Sequence, residues 1–121
     1  MDRKTICIQG LGFVGAAMAV AVAQAQKSAG GPKYQVIGID RKTDEGEARV
    51  HALNHGIFPF LTADEKLVSA VAQAHRAGNL TATTDESIYE LADVVVVDVP
   101  LDVSFLDEEP QLEMSSLEEA I

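Results

Sequence analysis

Three glycines near the start of the chain have the types and spacing best suited to chemistry. Gly10, Gly12 and Gly15 form the pattern Gly-x-Gly-x-x-Gly. The first glycine of such a pattern permits a tight turn, the second lets backbone approach a pyrophosphate, and the third lets a helix pack closely on a strand. Because the first N–H groups of the following helix have no partner within it, they favour an anion. The motif therefore predicts phosphate binding by the backbone.

The predicted cofactor contacts begin with this turn and continue at the end of the next predicted strand. From the turn we expect contributions from Gly10, Leu11, Gly12, Phe13, Val14 and Gly15. Asp40 follows 25 residues after Gly15, and the loop at residues 30–32 accounts for the excess over the usual spacing of about 20. An acid at this place accepts hydrogen bonds from the adenosine ribose and repels a 2′-phosphate, which favours NAD over NADP. Arg41 is included as a candidate contact, and with Lys42 it leaves NADP open as an alternative.

Alternating strands and helices are predicted to position these residues. Short β-branched or apolar runs predict strands at residues 5–9, 34–40, 80–84 and 94–97. Between them, helices are expected at residues 13–25, 44–53 and 65–77, with a brief helix ending at residue 91 and another beginning at residue 115. This alternation predicts an α/β fold with a parallel sheet and right-handed crossovers. The four valines at 94–97 predict a central strand buried on both faces.

Polar residues at the predicted helix starts indicate where each helix begins. Asp44 and Glu47 are spaced as a capping pair for the second helix. Thr62 and Glu65 form a capping box for the third. Thr84 is expected to cap the brief helix that follows the third strand.

Composition limits the class of protein. The 121 residues predict about one domain, and a hydrophobic fraction of 47% suits a packed core. Nine basic against nineteen acidic residues give a formal charge of −10, which argues against nucleic-acid binding because no basic face can be built. A single cysteine, Cys7, excludes a disulfide framework and a Cys-rich metal site.

The apolar run at residues 13–23 has two other interpretations, both of which we disfavour. It is shorter than the roughly 20 residues that a membrane-spanning helix needs. A secretory signal is opposed by Asp2 in the charged region and by the glycine turn. We expect a cytoplasmic protein with no membrane segment.

Two further groups of side chains are ambiguous. His51 and His55 have helical spacing that suits a metal, but no third ligand follows, so an exposed helix face is favoured. Phe58 and Phe60, on either side of Pro59, pack either over a nucleotide or into the core as an anchor for the loop.

Several stretches together resemble the NAD-binding domain of the UDP-glucose/GDP-mannose dehydrogenases. They are residues 6–40, residues 53–56 followed by Pro59, residues 78–85 (Gly-Asn-Leu-Thr-Ala-Thr-Thr-Asp), and Ala92-Asp93 leading to Val97-Asp98-Val99-Pro100. The resemblance covers nearly the whole chain. It implies a Rossmann-type doubly wound parallel sheet, here truncated, with NAD as the cofactor.

The same resemblance implies a contact beside the nicotinamide half of NAD. In the family a Thr-Pro-Thr turn lies there, and by position the resemblance assigns that turn to Val97, Asp98, Val99, Pro100 and Leu101. The chain departs from the family where Val99 and Leu101 replace the usual threonines. It departs again at Glu45, where the family often has a basic residue.

The resemblance also implies an activity, namely oxidation of a nucleotide-sugar C6 alcohol to a carboxylate through a thioester on a catalytic cysteine. Cys7 cannot be that cysteine, because it stands mid-strand between Ile6 and Ile8. The family's cysteine, lysine and asparagine belong to later segments. We therefore interpret residues 1–121 as an N-terminal NAD-binding domain, incomplete at its C-terminal end and inactive alone, from a protein that binds a nucleotide sugar and forms a homo-oligomer.

Three alternatives are kept. One is a dinucleotide-sensing module that uses the same glycines and Asp40 without chemistry. Another is an S-adenosylmethionine-dependent enzyme, which the full glycine spacing disfavours. The last is a fragment of a 3-hydroxyacid dehydrogenase, which residues 78–85 disfavour.

Overall fold

A four-stranded parallel sheet is the centre of the computed structural model, which describes residues 3–98. In chain order the elements are β1 Lys4–Gln9, α1 Phe13–Ala23, β2 Tyr34–Ile39, α2 Asp44–Asn54, α3 Glu65–Ala77, β3 Leu80–Thr83, a 3₁₀ helix Glu86–Leu91, and β4 Val94–Val97. Every predicted strand is present within one residue of its expected bounds, so the α/β prediction is confirmed. The helix predicted from residue 115 lies outside the described residues.

The strand order is β3-β2-β1-β4, so the chain builds outward from β1 on one side and then returns to its other side. Ile8 of β1 is the partner of Gly38 in β2 and of Val96 in β4. Because all strands are parallel, the carboxyl ends of β1, β2 and β4 meet at one edge. The reversal of direction at β1 is the place where such sheets bind ligands.

Side chains of β1 alternate between two apolar layers. Ile6 and Ile8 face the larger layer, in which Val20 of α1 and Val71 of α3 are also buried. Cys7 faces the smaller layer, against the 3₁₀ helix. Its side chain is fully buried, and this burial raises the pKa of the thiol. The interpretation of Cys7 as a small core residue is confirmed.

The helix α1 packs through small residues. Ala16, Ala19 and Ala23 are buried against the sheet and α3. Its first turn is partly exposed, since Phe13 is 46% exposed and Val14 61% exposed. No helix among residues 3–98 is long and apolar enough to cross a membrane.

Two helix caps differ from prediction because a neighbouring side chain supplies the oxygen. Thr43 caps α2 in place of Asp44, its Oγ1 accepting from the Gly46 N–H at 3.0 Å. Asp64 caps α3 in place of Thr62, whose own hydroxyl accepts from the Asp64 N–H. Adjacent Ser, Thr and Asp residues are all good caps, so sequence places a helix start only to within one or two residues.

The predicted brief helix is a 3₁₀ helix capped by Asp85, not by Thr84. The Asp85 carboxylate accepts from the Ser87 N–H at 3.0 Å. Hydrogen bonding to Ser87 lowers the pKa of Asp85.

Strand β4 is also placed differently from the prediction. Within residues 3–98 it lies at an edge of the sheet, paired with β1 alone. Val94 and Val95 are 46% and 44% exposed, so burial on both faces is not found in this part of the chain. A run of four valines has no polar position that would distinguish an edge strand from a central one.

Candidate functional site

A cleft of about 840 Å³ lies at the carboxyl edge of the sheet. Its volume is in the range of small-molecule sites, which is roughly 300–1,000 Å³. The lining residues are Gln9, Gly10, Leu11, Gly12, Ile39, Asp40, Arg41, Thr43, Asp44, Glu45, Arg49, Glu86, Tyr89, Val97 and Asp98. The cleft therefore brings together the glycine turn, the end of β2 and the end of β4.

Two of the three motif glycines are required by the fold itself. Gly10 has φ +93°, a conformation that side-chain-bearing residues rarely adopt. A Cβ on Gly15 would overlap the carbonyl oxygen of Gly10, so the start of α1 could not pack against the turn. Neither glycine needs a ligand to explain it.

Gly12 is different, because the fold does not require a glycine there. Its φ is −64°, which any residue can adopt, and a Cβ would meet no atom within 4 Å. Gly12 also lines the cleft. The space left by its missing side chain therefore opens directly onto the site.

The start of α1 also differs from the starts of the other helices in the described chain. Thr43, Asp64 and Asp85 cap the other three with side-chain oxygens, whereas Gly12 provides no side-chain cap. The first turn of α1 holds no acidic residue, and the intrahelical bonds begin with the Ala16 N–H to the Gly12 carbonyl at 2.8 Å. The preceding N–H groups are suited to an anion.

Asp40 lies at the end of β2 with its carboxylate held by three donors. Oδ1 accepts from the Arg41 N–H at 2.7 Å, and Oδ2 accepts from the Leu11 N–H at 3.2 Å. The third donor is Nη1 of Arg49, 3.4 Å from Oδ2. Asp40 is thereby fixed beside the glycine turn, as its predicted role requires.

Leu11 contributes through its backbone, since its side chain is fully buried. That side chain lies over Gly38 of β2, where an added Cβ would come within 2.7 Å of Leu11 Cδ2. A glycine in β2 therefore allows the turn to approach the sheet closely.

Phe13 and Val14 do not line the cleft. The Phe13 ring packs instead against Phe58 and Phe60, with centroids 5.2 and 5.8 Å away. Phe58 is buried in the core, which favours the loop-anchor interpretation of this segment. Gly15 likewise lies behind the turn, so these three residues face the site at most through backbone N–H groups.

At the end of β4, Val97 and Asp98 line the cleft as predicted, while Val99 and Pro100 lie outside the described residues. Asp98 lies against the glycine turn. Its Oδ2 is 3.1 Å from the position of a Cβ on Gly15. A carboxylate is thus present beside the backbone groups that suit an anion.

Sequence reasoning missed Arg49 and Tyr89. Arg49 is nine residues after Asp40 on α2, and its position could have been found from the fact that α2 begins at the carboxyl end of β2. Tyr89 belongs to the 3₁₀ helix, where burial, and then the charges of Cys7, Glu86 and Asp40, raise the pKa of its hydroxyl. Tyr89 therefore stays protonated at neutral pH.

The sequence profile of the UDP-glucose/GDP-mannose dehydrogenase family, NAD binding domain, matches residues 4–121. The chain belongs to this family. Membership decides against the 3-hydroxyacid dehydrogenase alternative, and it identifies the matched residues with the part of these dehydrogenases described as NAD-binding. A comparison with curated protein sequences yields no match.

Solved structures of dehydrogenases share this fold. An NDP-N-acetyl-D-galactosaminuronic acid dehydrogenase from Methanosarcina mazei is 26% identical with a TM-score of 0.67, over 87% of this chain and 23% of that one. A GDP-mannose dehydrogenase from Pseudomonas aeruginosa is 26% identical with a TM-score of 0.60, over 82% and 20%. A UDP-glucose dehydrogenase from Pyrobaculum islandicum shows likeness in fold at 22% identity and a TM-score of 0.63, over 98% and 24%. The chain thus spans about a quarter or less of these dehydrogenases.

Proposed function

We propose that this chain is the cofactor-binding part of an NAD-dependent enzyme that oxidises the C6 alcohol of a UDP- or GDP-sugar to a carboxylate. Family membership supports the class of reaction. The activities of the two 26% identical dehydrogenases support a nucleotide sugar as the substrate class.

Gly12 is the observation that supports dinucleotide binding most directly. The fold accounts for Gly10 and Gly15 but leaves Gly12 without a structural reason. A dinucleotide supplies that reason, since the second glycine of the motif lets the pyrophosphate approach the backbone.

Under this proposal, different residues of the cleft bind different parts of the cofactor. The N–H groups of Phe13, Val14 and Gly15 donate to the pyrophosphate. Asp40 accepts from the adenosine ribose, with its carboxylate oriented by the N–H groups of Leu11 and Arg41. From the family resemblance we expect the nicotinamide half beside Val97, Asp98, Val99 and Pro100. When bound, NAD supplies the acceptor for the hydride.

The catalytic nucleophile is proposed to lie outside this chain. Cys7 is buried in the sheet with a raised thiol pKa, which suits a core residue and not a nucleophile. We therefore expect residues 1–121 alone to bind NAD without oxidising a sugar. The proposal also includes a homo-oligomeric complete protein in the cytoplasm.

Calorimetric titration of the 121-residue chain with NADH tests this function. We expect Gly12→Val to weaken NADH binding by about tenfold or more, because its side chain occupies the space of the pyrophosphate. Gly12→Val should still fold, since a Cβ meets no atom at this position, and a thermal melt checks that the variant is folded. Equal NADH affinity of wild type and Gly12→Val, or no binding by the folded wild type, would contradict the proposal.

A further inference from the structure

We propose that Arg49 determines how strongly this site discriminates between NAD and NADP. This inference rests on the proposed dinucleotide binding and adds a specificity residue to it. In this proposal Arg49 partly neutralises Asp40 and is the cation that meets a 2′-phosphate.

Three groups lie around the guanidinium of Arg49. Nη1 lies 3.4 Å from Asp40 Oδ2, and Nη2 lies 3.9 Å from Glu45 Oε2. The guanidinium carbon stands 5.3 Å from the centroid of the Phe60 ring, within the range of a cation–π contact. A planar guanidinium held in this way presents its charge at one place, which suits recognition of a phosphate.

The acid beside Arg49 is the one expected to recognise the ribose. Asp40 keeps 10% of its side chain exposed and Arg49 keeps 29%, so the pair is only partly screened by water. Any group bound at the Asp40 carboxylate therefore also lies near the guanidinium. A 2′-phosphate is repelled by Asp40 and attracted by Arg49, and the balance of the two sets the specificity.

The other two cations near the end of β2 are placed less favourably. Lys42 is exposed and does not line the cleft. Arg41 lines it, but the contact recorded between Arg41 and Asp40 is made by its backbone N–H. Arg49 alone among these three has its side chain paired with Asp40.

The experiment compares the dissociation constants of NADH and NADPH by calorimetry. We expect Arg49→Gln to raise the preference for NADH over NADPH by about tenfold, because one charge-assisted hydrogen bond to the phosphate is lost. Lys42→Gln removes the same charge outside the cleft and is the matched control, in which the preference should stay within about twofold. Thermal melts show that each variant is folded.

A second background keeps the test decisive if the wild type binds NADPH weakly. Asp40→Asn removes the repulsion and frees Arg49, so NADPH affinity should rise, and the double variant with Arg49→Gln should lose that gain. The inference is overturned if Arg49→Gln changes both cofactors equally, or if Arg41→Gln removes the gain instead. Failure of the folded wild type to bind NADH contradicts the proposed function itself, which separates the two results.

Discussion

Asp40 and Asp98 are the same residue type in matching positions, yet their surroundings differ. Each directly follows a strand that flanks β1, and each lines the cleft. Asp40 is held by two backbone N–H groups and Arg49. Asp98 lies against Gly15, and the two ion pairs of the described residues involve Arg49 with Asp40 and Glu45, not Asp98. An acid at a strand end is therefore not a recognition group by position alone.

The charges around the cleft give Asp40 and Asp98 different expected effects on cofactor binding. The charged side chains of the cleft are the acids Asp40, Asp44, Glu45, Glu86 and Asp98 and the bases Arg41 and Arg49. Acids outnumber bases around a site proposed to take an anionic cofactor, so backbone N–H groups must provide most of the attraction. In this setting Asp40 is expected to strengthen cofactor binding through hydrogen bonds, while Asp98 is expected to weaken it through repulsion of the pyrophosphate.

The largest effect is expected from a substitution that disrupts the packing of α1 against the glycine turn and Asp98. Gly15→Ala places a Cβ on the Gly10 carbonyl and close to the Asp98 carboxylate. We expect the free energy of unfolding to fall by about 2 kcal/mol or more, the scale of a poorly accommodated methyl group. Urea denaturation measures it, with Gly12→Ala as the control of nearly wild-type stability. Equal stability of both variants would show that α1 does not pack as described.

A smaller effect is expected at Asp40. Asp40→Asn keeps the shape of the side chain but loses the charged acceptor for the ribose hydroxyls. We expect NADH affinity to fall about tenfold, as for one charge-assisted hydrogen bond. Titration calorimetry provides the measurement. Unchanged NADH affinity would mean that the ribose does not bind at the end of β2.

The smallest effect has the opposite sign. Asp98→Asn should raise NADH affinity by about threefold, because it removes one partly screened negative charge near the pyrophosphate. Since the effect is electrostatic, the gain should shrink as salt concentration rises. Titrations at low and high salt check both statements. A loss of affinity in Asp98→Asn would show instead that Asp98 acts as an acceptor for the cofactor.

Residues whose role depends on the backbone were predictable from sequence. The spacing of Gly10, Gly12 and Gly15 predicts the turn, and an acid after the second strand predicts Asp40 beside it. Both predictions depend on local patterns that a parallel sheet brings to one edge. The sequence could not separate the glycines that the fold needs from Gly12, because that requires the positions of neighbouring atoms.

Residues whose role depends on tertiary placement were not predictable in the same way. Chain order places Arg49 on the helix that follows β2, but the contact of its side chain with Asp40 depends on the rotation of α2 about its axis, which the weakly amphipathic sequence of α2 does not reveal. The ring of Phe13 packs on Phe58 and Phe60 of a distant loop, which its place in the glycine motif does not reveal. The contacts of Phe13 join residues far apart in sequence, over which patterns with a period of 2.0 or 3.6 residues carry no information.

The turn at Gly10–Gly15 and the end of β2 are proposed to hold a dinucleotide. Titrating the ¹⁵N-labelled chain with NADH, observed by two-dimensional NMR, tests this proposal most directly, because glycine amides are readily recognised. We expect the largest shifts at the amides of residues 10–15 and of Arg41, with Gly30, Gly31 and Gly78 unmoved. Shifts confined to other parts of the chain, or no shifts in a folded protein, would contradict it.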